Sequence, residues 1–296
     1  FGGSLLLLLT SLLWAAPPWA ADLATGDCLS VSRALTAPSN DLERLALGRC
    51  QAEQGQTGAA LELLQPLRSG ELAPYAALLR GKALLERGKP KEAEIELALA
   101  PPSAEVTLLR GRALVEDKRS LEARDMLRGL LDGPLGAEAR YWLAVGAQDR
   151  GDTANAIGTL QAVWTRHPTS PWADKAAKML LDHGIILPDF SSTDGRNLAL
   201  ARAKTLLQMR LAHLALPLLD AIHTQDPFDT ASEQLFMAEA LFDARQYKRA
   251  VEWYARGGAQ NSASTYFSYA LATARSGDYA AAAEIYEDVA AKYPGT

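Results

Sequence analysis

The sequence predicts an all-α fold, an array of antiparallel helix pairs, and two observations carry that prediction. The composition is 48% hydrophobic, but Ala and Leu supply most of it while β-branched and aromatic residues are sparse. Local propensity therefore favours helices almost throughout and argues against a β-rich fold. The second observation is internal periodicity. Gly48, Gly55 and Ala60 return 33 residues later as Gly81, Gly88 and Ala93, and Leu64 returns as Leu97 at the same offset. A recurring phrase of this length is the mark of a repeat architecture in which each helix pair buries its apolar face against its neighbours.

The elements follow in chain order. Residues 1–21 carry no charge, run through Leu5 to Leu9 and end in Pro17-Pro18-Trp19-Ala20-Ala21. This stretch is short for a membrane span and reads as a signal peptide whose basic leading region is missing, so the chain is expected to begin inside a precursor. Export to a periplasm of the Gram-negative type follows as the expected location, peripheral to a membrane at most. Residues 22–40 form an N-terminal segment with Cys28, and Cys50 lies in the first repeat. For these two cysteines two readings stay open: a disulfide tying the segment to the first helix pair, or two small buried apolar residues.

Residues 41–168 hold four repeats. The third keeps Gly111, Ala123 and Leu127, with Lys118 where the other repeats have a middle glycine. The fourth has Ala144, Gly151, Ala156 and Leu160 and closes on Pro168. Residues 169–195 break the period: one unpaired helix from Trp172 to His183, then the connector Gly184 to Gly195. Residues 196–296 hold three more repeats, marked by Ala203, Ala215 and Leu219, by Ala238, Ala250 and Tyr254, and by Ala270, Gly277, Asp278, Ala282, Tyr286 and Pro294. One continuous solenoid with a joint is expected.

Numbered within a repeat, small residues stand at positions 8 and 20, a turn at 15, a large apolar residue at 24 and proline at 32. This pattern resembles the tetratricopeptide repeat, which implies a right-handed superhelix (α-solenoid) of antiparallel helix pairs. The repeat-defining structural residues are Gly48, Ala60, Gly81, Ala93, Gly111, Ala123, Ala156, Ala215, Ala250 and Ala282. The small residues are expected where the two helices of a pair cross, and the large residue at 24 to fill the space between neighbouring pairs. Glycines at 15 supply the positive φ that ends the first helix, and Asp152 and Asp278 follow as N-caps of the second.

No enzyme motif is present. The four histidines, His167, His183, His213 and His223, lack a carboxylate or cysteine at ligand spacing, and no phosphate loop, nucleophile elbow or zinc-binding helix occurs. No cofactor and no metal is expected. With a formal charge of −5 and both signs interspersed, there is no basic stripe for nucleic acid. The acids and bases read as solvated helix faces. Trp142, Trp164, Trp172, Trp253 and the tyrosines Tyr266, Tyr269, Tyr279 and Tyr286 read first as packing, with stacking on sugars or peptides as the alternative.

A narrower resemblance lies in Leu160 to Ala176 (LQAVWTRHPTSPWADKA) and in the restart at Arg196 to Ala203. Both are similar to the superhelical region that precedes the catalytic domain of soluble lytic transglycosylases, over roughly residues 42–296. That likeness implies cleavage of peptidoglycan glycan strands by a Glu in a Glu-Ser dipeptide. No Glu-Ser occurs here, so no catalytic residue is carried over, and a catalytic domain would lie beyond Thr296. The leading expectation is a non-catalytic scaffold binding glycan strands or partner proteins in cell-wall remodelling. The alternative is a stand-alone periplasmic scaffold for envelope proteins, whose groove takes an extended or helical peptide. A cytoplasmic adaptor would require that residues 1–21 not be a signal.

Overall fold

The computed structural model describes residues 17–295. The greater part of the expected signal segment, residues 1–16, lies outside the described residues. Two short helices come first, α1 (Pro18–Thr25) and α2 (Cys28–Ala34), followed by α3 (Asp41–Glu53), α4 (Thr57–Leu64), α5 (Ala73–Glu86), α6 (Pro90–Ala98), α7 (Ala104–Glu116), α8 (Ser120–Arg128) and α9 (Gly136–Asp149). Then come α10 (Thr153–Arg166), α11 (Pro171–Asp182), α12 (Thr193–Gln208), α13 (Ala212–Gln225), α14 (Ala231–Asp243), α15 (Tyr247–Arg256), α16 (Ala263–Ser276) and α17 (Tyr279–Lys292). The chain forms two compact halves, one through Ala156 and one from Ile157, so the division runs through α10. The single helix α11 and the connector after it, where the repeat phase breaks, belong to the second half.

Helix ends are set by local chemistry. Asn40, Ser103, Ser170, Ser192 and Asp278 each accept a backbone N–H of the first turn that follows, and Thr230 with Glu233 forms a reciprocal capping box at α14. Asp152 also caps, accepting the Asn155 N–H at 3.3 Å. At the turn inside each repeat the residue at position 15 is left-handed: Gly55, Gly88, Gly151 and Gly277, but also Lys118, Arg210 and Arg245 at φ 61–64°. In every one of the seven repeats the next residue donates its N–H to the carbonyl five positions back, from Gln56 to Gln51 through Asp278 to Thr273. Lys118, Arg210 and Arg245 adopt this closure as the glycines do. Their cost is partly offset by pairing: Lys118 reaches Asp149 at 2.8 Å and Arg210 reaches Asp243 at 3.6 Å. In both, a cation at position 15 meets an aspartate at position 13 of the next repeat.

Within the first half, α3 packs on α4, α5 on α6 and α7 on α8, and α9 packs on both α8 and α7. The small residues lie where the helices approach. Ala60, Ala93, Ala123, Ala156, Ala215 and Ala250 have no exposed surface, and Ala282 almost none. The residue at 24 has a second contact, within its own repeat, that the spacing did not indicate. A Cβ placed on Gly48, Gly81 or Gly111 would lie 2.8, 2.5 or 2.6 Å from an atom of Leu64, Leu97 or Leu127. The leucine at 24 therefore fills the hole left by the glycine of its own repeat, and it also shares a core cluster with the next repeat, Leu64 with Ala76, Leu97 with Val106 and Leu127 with Ala139. Only a residue without a side chain lets it lie so close to the partner helix.

The α1 and α2 helices pack on the first repeat. Trp19, Ala20, Leu23, Val31 and Leu35 are buried with Ala46, Leu47, Cys28 and Cys50, and the cysteine Cα atoms stand 4.9 Å apart with their sulfurs at bonding distance. In the second half one core joins Ala199, Ala203, Leu206, Leu219, Met237, Leu241, Trp253 and Tyr254. No described helix is long and apolar enough to cross a membrane.

Candidate functional site

In the second half the first helices of the three repeats, α12, α14 and α16, present one shared face. Their register follows from the core. With Ala199, Ala203, Ala238, Leu241 and Ala270 turned inward, the positions one helical step away face outward together. They line a groove of about 550 Å³ whose walls include Leu200, Lys204, Leu235, Phe236, Glu239 and Thr265. The leucines and Phe236 are half-buried, so the floor is apolar, while Lys204 and Glu239 stand exposed at the rim.

The electrostatics of the groove lean acidic. Glu233 and Glu239 face Lys204 across it. Glu233 is already engaged, because Arg196 pairs with it and with Asp226, and Thr230 donates its hydroxyl to it at 2.7 Å. Glu239 is not so engaged. Although the residue is exposed overall, the protein atoms packed around its carboxyl, and then the nearby charge of Asp243, raise that group above the ordinary range. Behind it, burial and the charge of Glu239 push the Tyr254 phenol up to about 12. A carboxylate held in this way gains by meeting a cation. Outside the groove's lining, Arg275 lies over the rings of Phe242 and Tyr247, 5.5 and 5.6 Å from their centroids, and donates to the Tyr247 hydroxyl at 3.0 Å.

The residues weighed for chemistry do not converge. His223 accepts the Phe228 N–H at 2.9 Å and lies edge-on to Trp253 at 4.9 Å, so it buttresses the core. His213 lies near Arg210 and Arg245 on a different surface. Among the described residues no three His, Cys, Asp or Glu side chains form a group able to hold a metal ion. Trp164 is buried with the Arg202 guanidinium 4.6 Å from its ring, Trp142 carries Arg112 at 5.3 Å and Trp172 carries Lys175 at 3.8 Å. Tyr266 and Tyr269 stack at 6.4 Å, and Tyr266 donates to Asp288 at 2.6 Å. Tyr286 meets the Phe267 ring, and Tyr279 stands largely exposed.

Sequence reasoning passed over two structural arginines. Arg80 is 2% exposed, bonds the Leu64 and Leu67 carbonyls at the end of α4, and pairs with Glu96 at 2.9 Å. Arg202 bonds the Trp164 and Pro168 carbonyls at the end of α10. Both stand at position 7 and answer the unpaired carbonyls of an earlier helix terminus. The signal was present, as arginine directly before the small residue at position 8.

Comparison with known proteins agrees with the period. Models of the tetratricopeptide repeat match residues 45–105, and residues 138–170 and 237–296. No curated protein sequence matches the chain. Among solved structures, a tetratricopeptide repeat protein from Parabacteroides merdae is similar over 86% of this chain and 93% of its own, at 16% identity and a TM-score of 0.39. MamA from Desulfovibrio magneticus is similar over 65% and 97%, at 16% identity and 0.33. The TPR2AB domain of yeast Sti1, solved in complex with pHSP90, is similar over 75% and 92%, at 16% identity and 0.32. With its seven like turns and these family matches, the chain is an all-helical protein built from tetratricopeptide repeats.

Proposed function

We propose that this chain is a protein-interaction scaffold whose α12/α14/α16 groove takes a partner segment bearing apolar side chains and at least one cation. The observation that carries the reading is the groove itself, an apolar floor formed by Leu200, Leu235 and Phe236 with the Glu239 carboxylate at its rim. Buried apolar area would supply the affinity, and pairing with Glu239 the choice of sign. The uncharged stretch Phe1 to Ala21 and the meeting of Cys28 with Cys50 support work outside the cytoplasm, in an oxidising envelope compartment where envelope proteins are the partners. The likeness of Leu160 to Ala176 to lytic transglycosylases offers peptidoglycan glycan strands as a competing occupant, although the matched family models describe the repeat alone.

The test is fluorescence anisotropy of the full chain with a labelled amphipathic Leu/Lys peptide of roughly four helical turns. Binding is expected to weaken roughly tenfold on Phe236→Ala, and to weaken on Glu239→Gln, each about 1 kcal/mol or more. Glu239→Gln also removes a carboxylate that the fold disfavours as an anion, so the same variant is expected to melt no lower than wild type at neutral pH. Equal affinity in all three proteins, or binding only to purified sacculi, would remove the proposal.

A further inference from the structure

We infer that the first half carries a second docking site of opposite sign, a groove between α4 and α6 that takes an acidic segment of a partner protein. The groove holds about 350 Å³, and its walls include Leu61, Leu84, Arg68, Arg87, Lys89 and Ile95. Its apolar surface is open: Ile95 is 60% exposed, and Leu99, the C-cap residue just past the end of the same helix, is 62% exposed beside the groove's lining. Leu61 and Ile95 lie on the second helices α4 and α6, with Leu84 of α5 between them, and the groove shares no residue with the α12/α14/α16 groove.

The charge balance selects the occupant. At the floor, the buried Glu96 carboxylate pairs with two guanidiniums, Arg80 at 2.9 Å and Arg68 at 3.1 Å. One positive charge of that trio is therefore left uncompensated. Lys89 and Glu92 cancel at 2.9 Å. Arg87 is exposed at the rim and has no carboxylate within ion-pair distance among the described residues. The groove is thus cationic by two groups in a chain whose formal charge is −5. Such a patch repels basic segments and, within a Debye length, steers acidic ones. An apolar side chain of the segment would settle between Leu61 and Ile95 while its carboxylates reach Arg87 and Arg68, whose planar guanidiniums suit paired oxygens.

The experiment titrates the full chain with a labelled amphipathic Leu/Glu peptide and with a neutral Leu/Gln control, at low and physiological salt. The Leu/Glu peptide is expected to bind at least roughly tenfold more tightly than the control, with an affinity that falls as salt rises. Arg87→Glu and Ile95→Asp are each expected to weaken it by roughly tenfold or more. Both side chains are exposed, so the helical circular dichroism and melting of the variants are expected to match wild type. Glu239→Gln, in the other half, is expected to leave this binding unchanged, which separates the inference from the function proposed above. The inference is overturned if the Leu/Glu peptide binds no better than the control, if either variant keeps full affinity, or if Glu239→Gln alters it. A dimer in sedimentation that Ile95→Asp dissolves would also overturn it, by assigning the groove to a second copy of the chain.

Discussion

Replacing Gly81 with alanine inside α5 sets helix propensity against packing, and the structure says which wins. Propensity alone favours alanine over glycine by about 1 kcal/mol. The new Cβ, however, would stand 2.5 Å from Leu97 Cγ and 2.7 Å from its Cδ2, whereas carbon atoms in ordinary contact lie about 3.5–4.0 Å apart. Leu97 has no exposed surface and cannot swing out to solvent, so the overlap of about 1 Å must be met by shifting α6. Overpacking of this kind costs about 1–3 kcal/mol, which leaves Gly81→Ala destabilising by about 1 kcal/mol net. The decisive assay is a double-mutant cycle by urea denaturation with Leu97→Ala. That change alone is expected to cost about 2–5 kcal/mol, and in its background Gly81→Ala is expected to stabilise by about 1 kcal/mol as propensity acts unopposed. A coupling near 2 kcal/mol follows. If Gly81→Ala stabilises wild type, or if its effect keeps one sign in both backgrounds, the account of positions 8 and 24 is wrong.

The remaining predictions concern turns, the cysteine pair and the connector. Arg245→Gly is expected to raise stability by up to about 1 kcal/mol, because it relieves a left-handed residue. Arg210→Gly should gain less, since it forfeits the pairing with Asp243; equal melting shifts would refute the difference. Replacing Cys28 and Cys50 with serine is expected to cost about 3 kcal/mol, the entropy of closing a loop of this size, with a matching loss on adding reductant to wild type; insensitivity to reductant would show that the sulfurs are unbonded. In the connector, Asp189 accepts the hydroxyls of Ser192 at 2.5 Å and Ser191 at 2.7 Å, and these bonds depress its carboxyl to about 2. The stabilisation it gives is complete above the ordinary aspartate value and is lost as pH falls toward 2. An NMR titration midpoint near 3.8 would remove that contact from the account.

Much of the fold was legible because period and turn chemistry are local. The glycines at position 15, the caps Asp152 and Asp278, and the buried alanines at position 20 all follow from residue type and spacing. Lys118 hid the same turn, because nothing in a lysine announces positive φ; only the closing bond from Arg119 to the Leu114 carbonyl reveals it. The closeness of the leucine at 24 to the glycine at 8 of its own repeat was not legible, because spacing along one helix does not list every neighbour a side chain meets. Pro17 to Ala21 illustrates a further limit. Composition reads this stretch as a cleavage region, yet Pro18 also suits the first turn of a helix, and Trp19 and Ala20 pack against the first repeat.

The groove was less legible than the scaffold. Phe236 and Glu239 lie one turn apart on α14, but Leu200 is far from them in sequence and joins their face only because α12 stacks beside it, so no motif marks the three. The two grooves differ in sign through residues that looked like ordinary solvated charges, Arg87 and Glu239 among them. Their meaning depends on which partners lie within reach, and that is a property of packing.

The central claim is that the α12/α14/α16 face is where a partner segment docks. It is tested most directly by photocrosslinking a benzophenone-bearing Leu/Lys peptide to the full chain and mapping the attachment sites by mass spectrometry. Attachment is predicted on the helices lining the groove, around Leu200, Lys204, Leu235 and Phe236, and it should fade when unlabelled peptide competes. Crosslinks scattered over the chain, or confined to the second helices of the repeats, would contradict it.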